Sequence, residues 1–158
     1  MPRYFAYGSN MDGRQMEQRC PVARFLCVAR LADHRLAFTR YSRERGCGVA
    51  DIIPKAGECV WGVVYELSES DLSRLDCYEG YKPGSHAQGN AYNREKVAVF
   101  AGGRAGEVLS AYAYVVSAKR HDAPPPSQAY LRHLLCGARR WRLPESYIRC
   151  LEAVRTAS

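Results

Sequence analysis

Apolar and aromatic residues in this chain gather in short extended runs, broken by glycine, proline and clusters of polar residues. The run from Arg3 to Gly8 predicts a strand, and Asp12 to Arg19 predicts a short helix. Cys20-Pro21 ends that helix, because proline cannot continue it and disfavours helical geometry just before itself. Extended segments are predicted near 24–31, 34–40, 48–53 and 58–67, the last β-branched and aromatic as a buried strand should be. Ser68-Glu69-Ser70-Asp71 marks a helix start, with a serine cap and acids in the first turn. Leu72 and Leu75 face inward three residues apart. Glu79 falls on or beside that face, and Gly80 supplies the stop. A polar loop over 80–91 leads into strands near 92–101 and 107–117, joined by the glycine-rich turn 102–106. Pro124-Pro125-Pro126 reads as a rigid turn before helices near 127–138 and 144–155. Strands outnumber helices and several neighbours pair as antiparallel, so the pattern predicts an α+β fold with a mixed, curled sheet.

Length and charge narrow the function classes. At 158 residues and 17.7 kDa the chain is sized for one domain over 1–158 with a genuine core. No apolar run approaches the roughly 20 residues that span a bilayer, and Met1-Pro2-Arg3-Tyr4 carries no signal-peptide pattern. A cytoplasmic protein without a membrane partner is expected. The seven cysteines form no Cys-x-x-Cys pair, and the histidines at 34, 86, 121 and 133 show no metal-ligand spacing, so no metal or cofactor is expected. A nucleophilic pairing of Cys77 with His86 is the weak exception. The net charge of +7 attracts nucleic acid in principle. The basic residues are nonetheless spread along the chain. Their densest cluster, Arg139-Arg140-Trp141-Arg142, suits a cationic helix end, so nucleic acid is not an expected partner.

Two places carry candidate chemistry. At Tyr7-Gly8-Ser9-Asn10 a strand feeds a tight turn and a helix start, where successive backbone N–H groups can cradle a small anion. Any strand–glycine–helix corner could arise for structural reasons alone. Glu79, at a helix end beside Leu75 and one turn after Asp76, is placed for burial and for a neighbouring negative charge. Both influences raise a carboxyl pKa. Its bland alternative is the end of a solvated helix face.

The corner Tyr4-Phe5-Ala6-Tyr7-Gly8-Ser9-Asn10-Met11 and the segment Leu72-Ser73-Arg74-Leu75-Asp76-Cys77-Tyr78-Glu79-Gly80-Tyr81, in this order, resemble the gamma-glutamyl cyclotransferase family. Phe25–Leu31, Val60–Tyr65 and Ala123–Tyr130 extend the resemblance over nearly the whole chain. It implies a small closed β-barrel with flanking helices and a cofactor-independent enzyme that cyclises a gamma-glutamyl amino acid or amine to 5-oxoproline. By that resemblance Glu79 is the catalytic acid and base. Tyr4, Phe5, Ala6, Tyr7, Gly8, Ser9 and Asn10 contact the substrate, and Tyr130 adds a contact from the late helix. Loop 80–91 is a candidate lid. Relatives acting on glutathione tend to carry leucine where Asn10 stands, so the gamma-glutamyl amino acid group is favoured. The implied partner is a small gamma-glutamyl substrate, with the protein a monomer or homodimer. The rival readings are a non-catalytic domain using the cradle for a small anion, and a basic nucleic-acid-binding module.

Overall fold

The computed structural model describes residues 1–102 and 107–157. Five strands, β1 (Arg3–Ala6), β2 (Arg24–Ser42), β3 (Cys47–Glu66), β4 (Tyr92–Ala101) and β5 (Val108–Val116), close a barrel in the order β1-β3-β2-β4-β5. Neighbours pair antiparallel except at the seam, where β1 runs parallel to β5 with Tyr4 opposite Tyr112. Helices α1 (Gly13–Arg19), α2 (Glu69–Tyr78), α3 (Gln128–Arg140) and α4 (Glu145–Glu152) are the α-helices of the described residues. The closed mixed barrel with flanking helices is the architecture that the resemblance implied. Among the described residues no helix is long and apolar enough to cross a membrane. The hairpin turn predicted at 102–106 falls largely on 103–106, outside the described residues.

The four extended segments predicted between 24 and 67 are two long strands of one hairpin, interrupted but not ended. Pairing shifts between Ala32↔Cys59 and His34↔Pro54. At the shift Asp33 takes a left-handed φ of 56° and its carboxylate accepts the Gly57 N–H at 3.0 Å. At the gap expected over 54–57 the chain does not stop: four exposed residues of β3, 55–58, stand against Asp33 alone, an irregularity that bends the hairpin without ending it. Beyond it the outer half of the hairpin, His34–Ser42 on Cys47–Pro54, continues past the barrel wall.

Two helix boundaries position the chemistry. Ser68 caps α2 by accepting the Asp71 N–H, and the helix ends with the Tyr81 N–H on the Asp76 carbonyl and the Gly80 N–H on the Cys77 carbonyl. That double closure needs a left-handed residue after the cap, and Gly80 provides it at φ 65°. Glu79 is thereby fixed as the capping residue itself. At the other boundary β1 leaves the barrel into a 3-10 turn, Ser9–Met11, and α3 lies directly over it. Helix α3 starts at Ser127, which caps the Tyr130 N–H, after the proline run has docked on β3 through Gly48 N–H to Pro125 carbonyl at 3.1 Å.

Gly137 of α3 is what lets the helix come this close, since a Cβ there would overlap the Met11 backbone. Gly137→Ala should therefore cost about 1–3 kcal/mol of stability, the usual range for overpacking a tight contact. Urea unfolding measures it. A loss below about 0.5 kcal/mol, within the range of a neutral substitution, would show that helix and turn separate freely.

Candidate active site

The turn after β1 is held by its carbonyls. Gly8 and Ser9 carbonyls accept from the Met11 and Asp12 amides at 3.1 and 3.0 Å. The Asn10 carbonyl accepts from the Tyr65 hydroxyl at 3.0 Å, and the Met11 carbonyl from the Trp141 indole N–H at 2.9 Å. Trp141 is itself stacked flat on Phe25 at 4.1 Å. The amides of Gly8, Ser9 and Asn10 are treated differently: among the described residues none accepts a hydrogen bond from them. A backbone donor kept from water calls for an acceptor. These three residues line a pocket of about 330 Å³, counting its open mouth, together with Tyr4, Tyr7, Ala50, Glu79, Tyr92, Tyr114 and Tyr130.

Asn10 organises this pocket. It is 2% exposed, and its side-chain nitrogen donates to the Tyr4 hydroxyl at 3.0 Å and to Glu79 Oε1 at 3.3 Å. Its side-chain oxygen accepts from Gln15 at 2.8 Å and from Arg19 at 3.1 Å. Five lining phenols divide by what their O–H does. Tyr7 donates to the Tyr114 carbonyl, Tyr92 to the Ala50 carbonyl at 2.8 Å, and Tyr114 to Asp76 at 2.7 Å. The Tyr4 and Tyr130 oxygens accept, from Asn10 and from the Ala50 amide, and among the described residues neither hydroxyl hydrogen meets an acceptor. Two O–H donors are thus left for a ligand.

Burial raises the pKa of every one of these phenols, Tyr130 to about 12, with the charge of Glu79 pushing the same way on Tyr4, Tyr7, Tyr92, Tyr114 and Tyr130. They stay protonated at neutral pH. Two buried acids nearby are already engaged. Asp51 takes Thr39, Lys119 and the Val116 amide, and Asp76 takes Arg94 and Tyr114. Glu79 is the one carboxyl among the residues that line the pocket. Its side chain is 16% exposed. Desolvation pushes its carboxyl above the ordinary range, while Arg19, Arg45, Arg40 and the Asn10 amide pull it back.

This corrects one expectation about the cause. Asp76 does not press its charge on Glu79, because Arg94 pairs with it at 2.7 Å and it sits toward β4 and β5. The charges that act on Glu79 are arginines. Of the residues expected to contact substrate, Tyr4, Tyr7, Gly8, Ser9, Asn10 and Tyr130 come together around Glu79. Phe5 and Ala6 do not line the pocket. Both are fully buried in the core, and a Cβ added at Gly62 would run into them. Tyr92 and Tyr114, from β4 and β5, and Arg19, Arg40 and Arg45 escaped the reading of the sequence. All but Arg19 lie tens of residues from the Gly8 corner, and only the chain's eleven tyrosines hinted at a phenol-lined site. Cys77 and His86 are both exposed. Loop 80–91 is pinned at its ends by Ala91 N–H to Gly80 carbonyl and Tyr92 N–H to Glu79 carbonyl, at 3.1 and 3.2 Å.

The family described as gamma-glutamyl cyclotransferase, AIG2-like, matches residues 4–132. A human gamma-glutamylcyclotransferase is 34% identical over 155 residues, covering 96% of this chain and 77% of the human protein. The mouse gamma-glutamylcyclotransferase is 33% identical over the same length, covering 96% and 77% of the two chains. A solved structure of a gamma-glutamyl cyclotransferase superposes with a TM-score of 0.87 at 32% identity, covering 99% of this chain and 89% of that one. The chain belongs to this family.

The raised carboxyl at Glu79 predicts a pH signature in stability. A group whose pKa is higher folded than unfolded favours the folded state at low pH, and the benefit fades as pH rises through the folded value. Glu79→Gln removes the titrating group. The variant should therefore gain on wild type as pH rises from about 4 to about 8, in urea unfolding at each pH. A stability difference that is flat in pH, or that moves the other way, would show that the carboxyl is not held above its ordinary range.

Proposed function

We propose that this member of the gamma-glutamyl cyclotransferase family converts a gamma-glutamyl amino acid or amine into 5-oxoproline and the free amine. The observation that carries the proposal is the pairing of one proton-exchanging carboxyl with unused backbone donors in a single phenol-lined pocket. The substrate presents an α-ammonium, an α-carboxylate and a γ-amide on one short chain. Gly8, Ser9 and Asn10 amides are the donors for the α-carboxylate. The Tyr4 and Tyr130 hydroxyls are donors for the remaining oxygen, on which negative charge develops when the γ-carbonyl is attacked. Clamping both ends turns a freely rotating chain into one whose amine lies against its own carbonyl.

Glu79 supplies the proton traffic. An α-ammonium has a pKa of about 8, so at neutral pH it must lose a proton before it can attack. Glu79 accepts that proton, the nitrogen adds to the γ-carbon, and the carbonyl electrons move to oxygen. The carbonyl re-forms as the bond to the leaving nitrogen breaks, with Glu79 delivering the proton that this nitrogen needs. The second proton of the attacking nitrogen follows the same route. The ring nitrogen ends as a lactam N–H and the leaving group departs as an ammonium ion. Glu79 finishes unprotonated, as it began, and the step needs no oxidant or cofactor. A carboxyl pushed above its ordinary range by burial and drawn back by arginines is better matched to an ammonium than a solvated glutamate.

Glu79→Gln should fold, bind substrate and lose about two to four orders of magnitude in turnover. Release of 5-oxoproline from gamma-glutamyl dipeptides is the measurement, and retention of more than about a tenth of the activity would remove Glu79 from the role. Absence of 5-oxoproline from every substrate, with a small acid still binding the wild type, would instead favour a non-catalytic anion-binding domain.

Gly8 tests the cradle. A Cβ there would lie 3.3 Å from the Ala50 Cβ and 3.6 Å from the Tyr130 hydroxyl, tightening the pocket wall where the ligand enters. Gly8→Ala should raise KM well beyond what its small change in Tm explains. Replacing the substrate's α-carboxylate by a carboxamide should cost wild type a similar amount and the variant little more, because the two changes remove one interaction. Additive losses would place the carboxylate elsewhere.

A further inference from the structure

Outside the phenol-lined pocket lies a larger open cleft, about 1370 Å³ counting the solvent in its mouth, that shares Ser9, Glu79, Tyr92 and Tyr130 with it. Glu79 therefore stands at the junction of the two. If cyclisation occurs there, the glutamyl half occupies the inner pocket and the departing amine extends into the outer cavity. That cavity is lined by five arginines, against two acids, Glu79 and Glu44. Arg120 is engaged by Asp122. Arg40 and Arg45 form no ion pair among the described residues.

These two guanidinium groups are held in place without being neutralised. Arg45 donates to the Gln15 side-chain oxygen at 2.8 Å and to the Ser9 hydroxyl at 3.4 Å, and lies over the Tyr130 ring at 5.2 Å. Arg40 lies over the Tyr92 ring at 5.9 Å. Both rings are walls of the inner pocket, so the cations form a collar at its mouth. Both side chains are partly buried, where a charge meets less screening than in free solvent. Arg19 adds a third cation 3.8 Å from Glu79. One carboxylate on a leaving amino acid cannot answer all of this charge. Planar guanidinium groups fixed on aromatic faces are suited to carboxylates, which they bind through paired N–H donors.

We infer that Arg40 and Arg45 select a leaving amine with two acidic groups, so that the preferred substrate class is a gamma-glutamyl dicarboxylic amino acid. This rests on the cyclotransferase reading and adds the identity of the leaving group.

The test compares gamma-glutamyl-glutamate with gamma-glutamyl-glutamine, equal in shape and different by one charge, with 5-oxoproline as the readout. Wild type should favour the glutamate compound in kcat/KM by about tenfold or more, the scale of one charge-assisted hydrogen bond. The preference should shrink in high salt. Arg40→Gln and Arg45→Gln should each cut the ratio of the two kcat/KM values several-fold. Arg45→Gln also loosens Ser9, so Arg40→Gln, which does not touch the turn, keeps the ratio decisive. Equal kcat/KM for both compounds on wild type would overturn the inference while leaving the cyclotransferase reading intact. So would arginine variants that lower both substrates by the same factor, since the arginines would then serve the glutamyl half or Glu79. Release of 5-oxoproline from neither compound, nor from gamma-glutamyl-alanine, would defeat the cyclotransferase reading and the inference with it.

Discussion

The carboxamide of Asn10 is the interaction on which the site depends. All four of its hydrogen-bonding positions are used: two N–H donors reach Tyr4 and Glu79, and two lone pairs receive Gln15 and Arg19. A fully satisfied buried amide fixes its partners, because turning any one away strands a polar group at about 1–3 kcal/mol. The two donors on the oxygen also fix which way the amide points. One side chain thus joins the strand that begins the chain, helix α1, and the end of α2. Its own backbone carbonyl is tied to Tyr65 on β3. Leucine at this position would leave Tyr4, Glu79, Gln15 and Arg19 without their common partner.

The electrostatics of the pocket follow from what surrounds that amide. Phenols, not imidazoles or lysines, line the walls, and burial holds their protons firmly. They offer dipoles and donors without competing for charge. A lone carboxyl in such a setting would be driven strongly toward its neutral form. The arginines at the mouth oppose that drive, so Glu79 is set by a balance between desolvation and cations, with the negative end of the α2 dipole adding to the former. Two other buried carboxylates show the contrast. Asp51 and Asp76 each have a cation at 2.7 Å, and they brace strands. Glu79 meets its nearest cation only at 3.8 Å and faces the pocket.

What the sequence showed and what it hid divide along one line. The Gly8 corner and the Glu79–Gly80 helix end were legible because each is a local event. A strand stops at glycine and a cap follows; a helix ends where only a left-handed residue can close it. Spacing from Leu75 set Glu79 on or beside the inward face, and the family resemblance supplied its role; the charge expected to tune it, Asp76, is taken by Arg94 on a strand that no local pattern connects to α2. The gaps expected at 32–33 and 54–57 fall where the pairing of β2 with β3 slips, and a bulge and a strand end look alike until the partner strand is known. Tyr92 and Tyr114 reach the site through strand pairing, and Arg40 and Arg45 through the far end of the β2–β3 hairpin and its turn; single-chain periodicity carries no information about register. Phe5 and Ala6 show the opposite case. They adjoin the motif in sequence, yet the strand buries them in the core while Tyr4 and, just beyond it, Tyr7 reach the pocket.

The barrel seam explains why these separate parts meet. Strand β1 is only Arg3–Ala6, and it completes the cylinder by pairing with β3 on one side and β5 on the other. The same short strand delivers the turn that carries Gly8, Ser9 and Asn10. Across the seam the Tyr7 hydroxyl bonds the Tyr114 carbonyl, the Tyr114 hydroxyl bonds Asp76, and the Tyr4 ring meets the Tyr114 ring edge-on at 5.7 Å. Asp76 lies on α2, three residues before Glu79. Closing the barrel and assembling the pocket are therefore one physical event: the hydrogen bonds that seat β1 also fix the walls around the reacting atoms. A chain with an open seam would lose the cradle, the phenol wall and the register of α2 together. It follows that the site's geometry is as cooperative as the fold, and that its precision comes from the core and not from the loops that surround it.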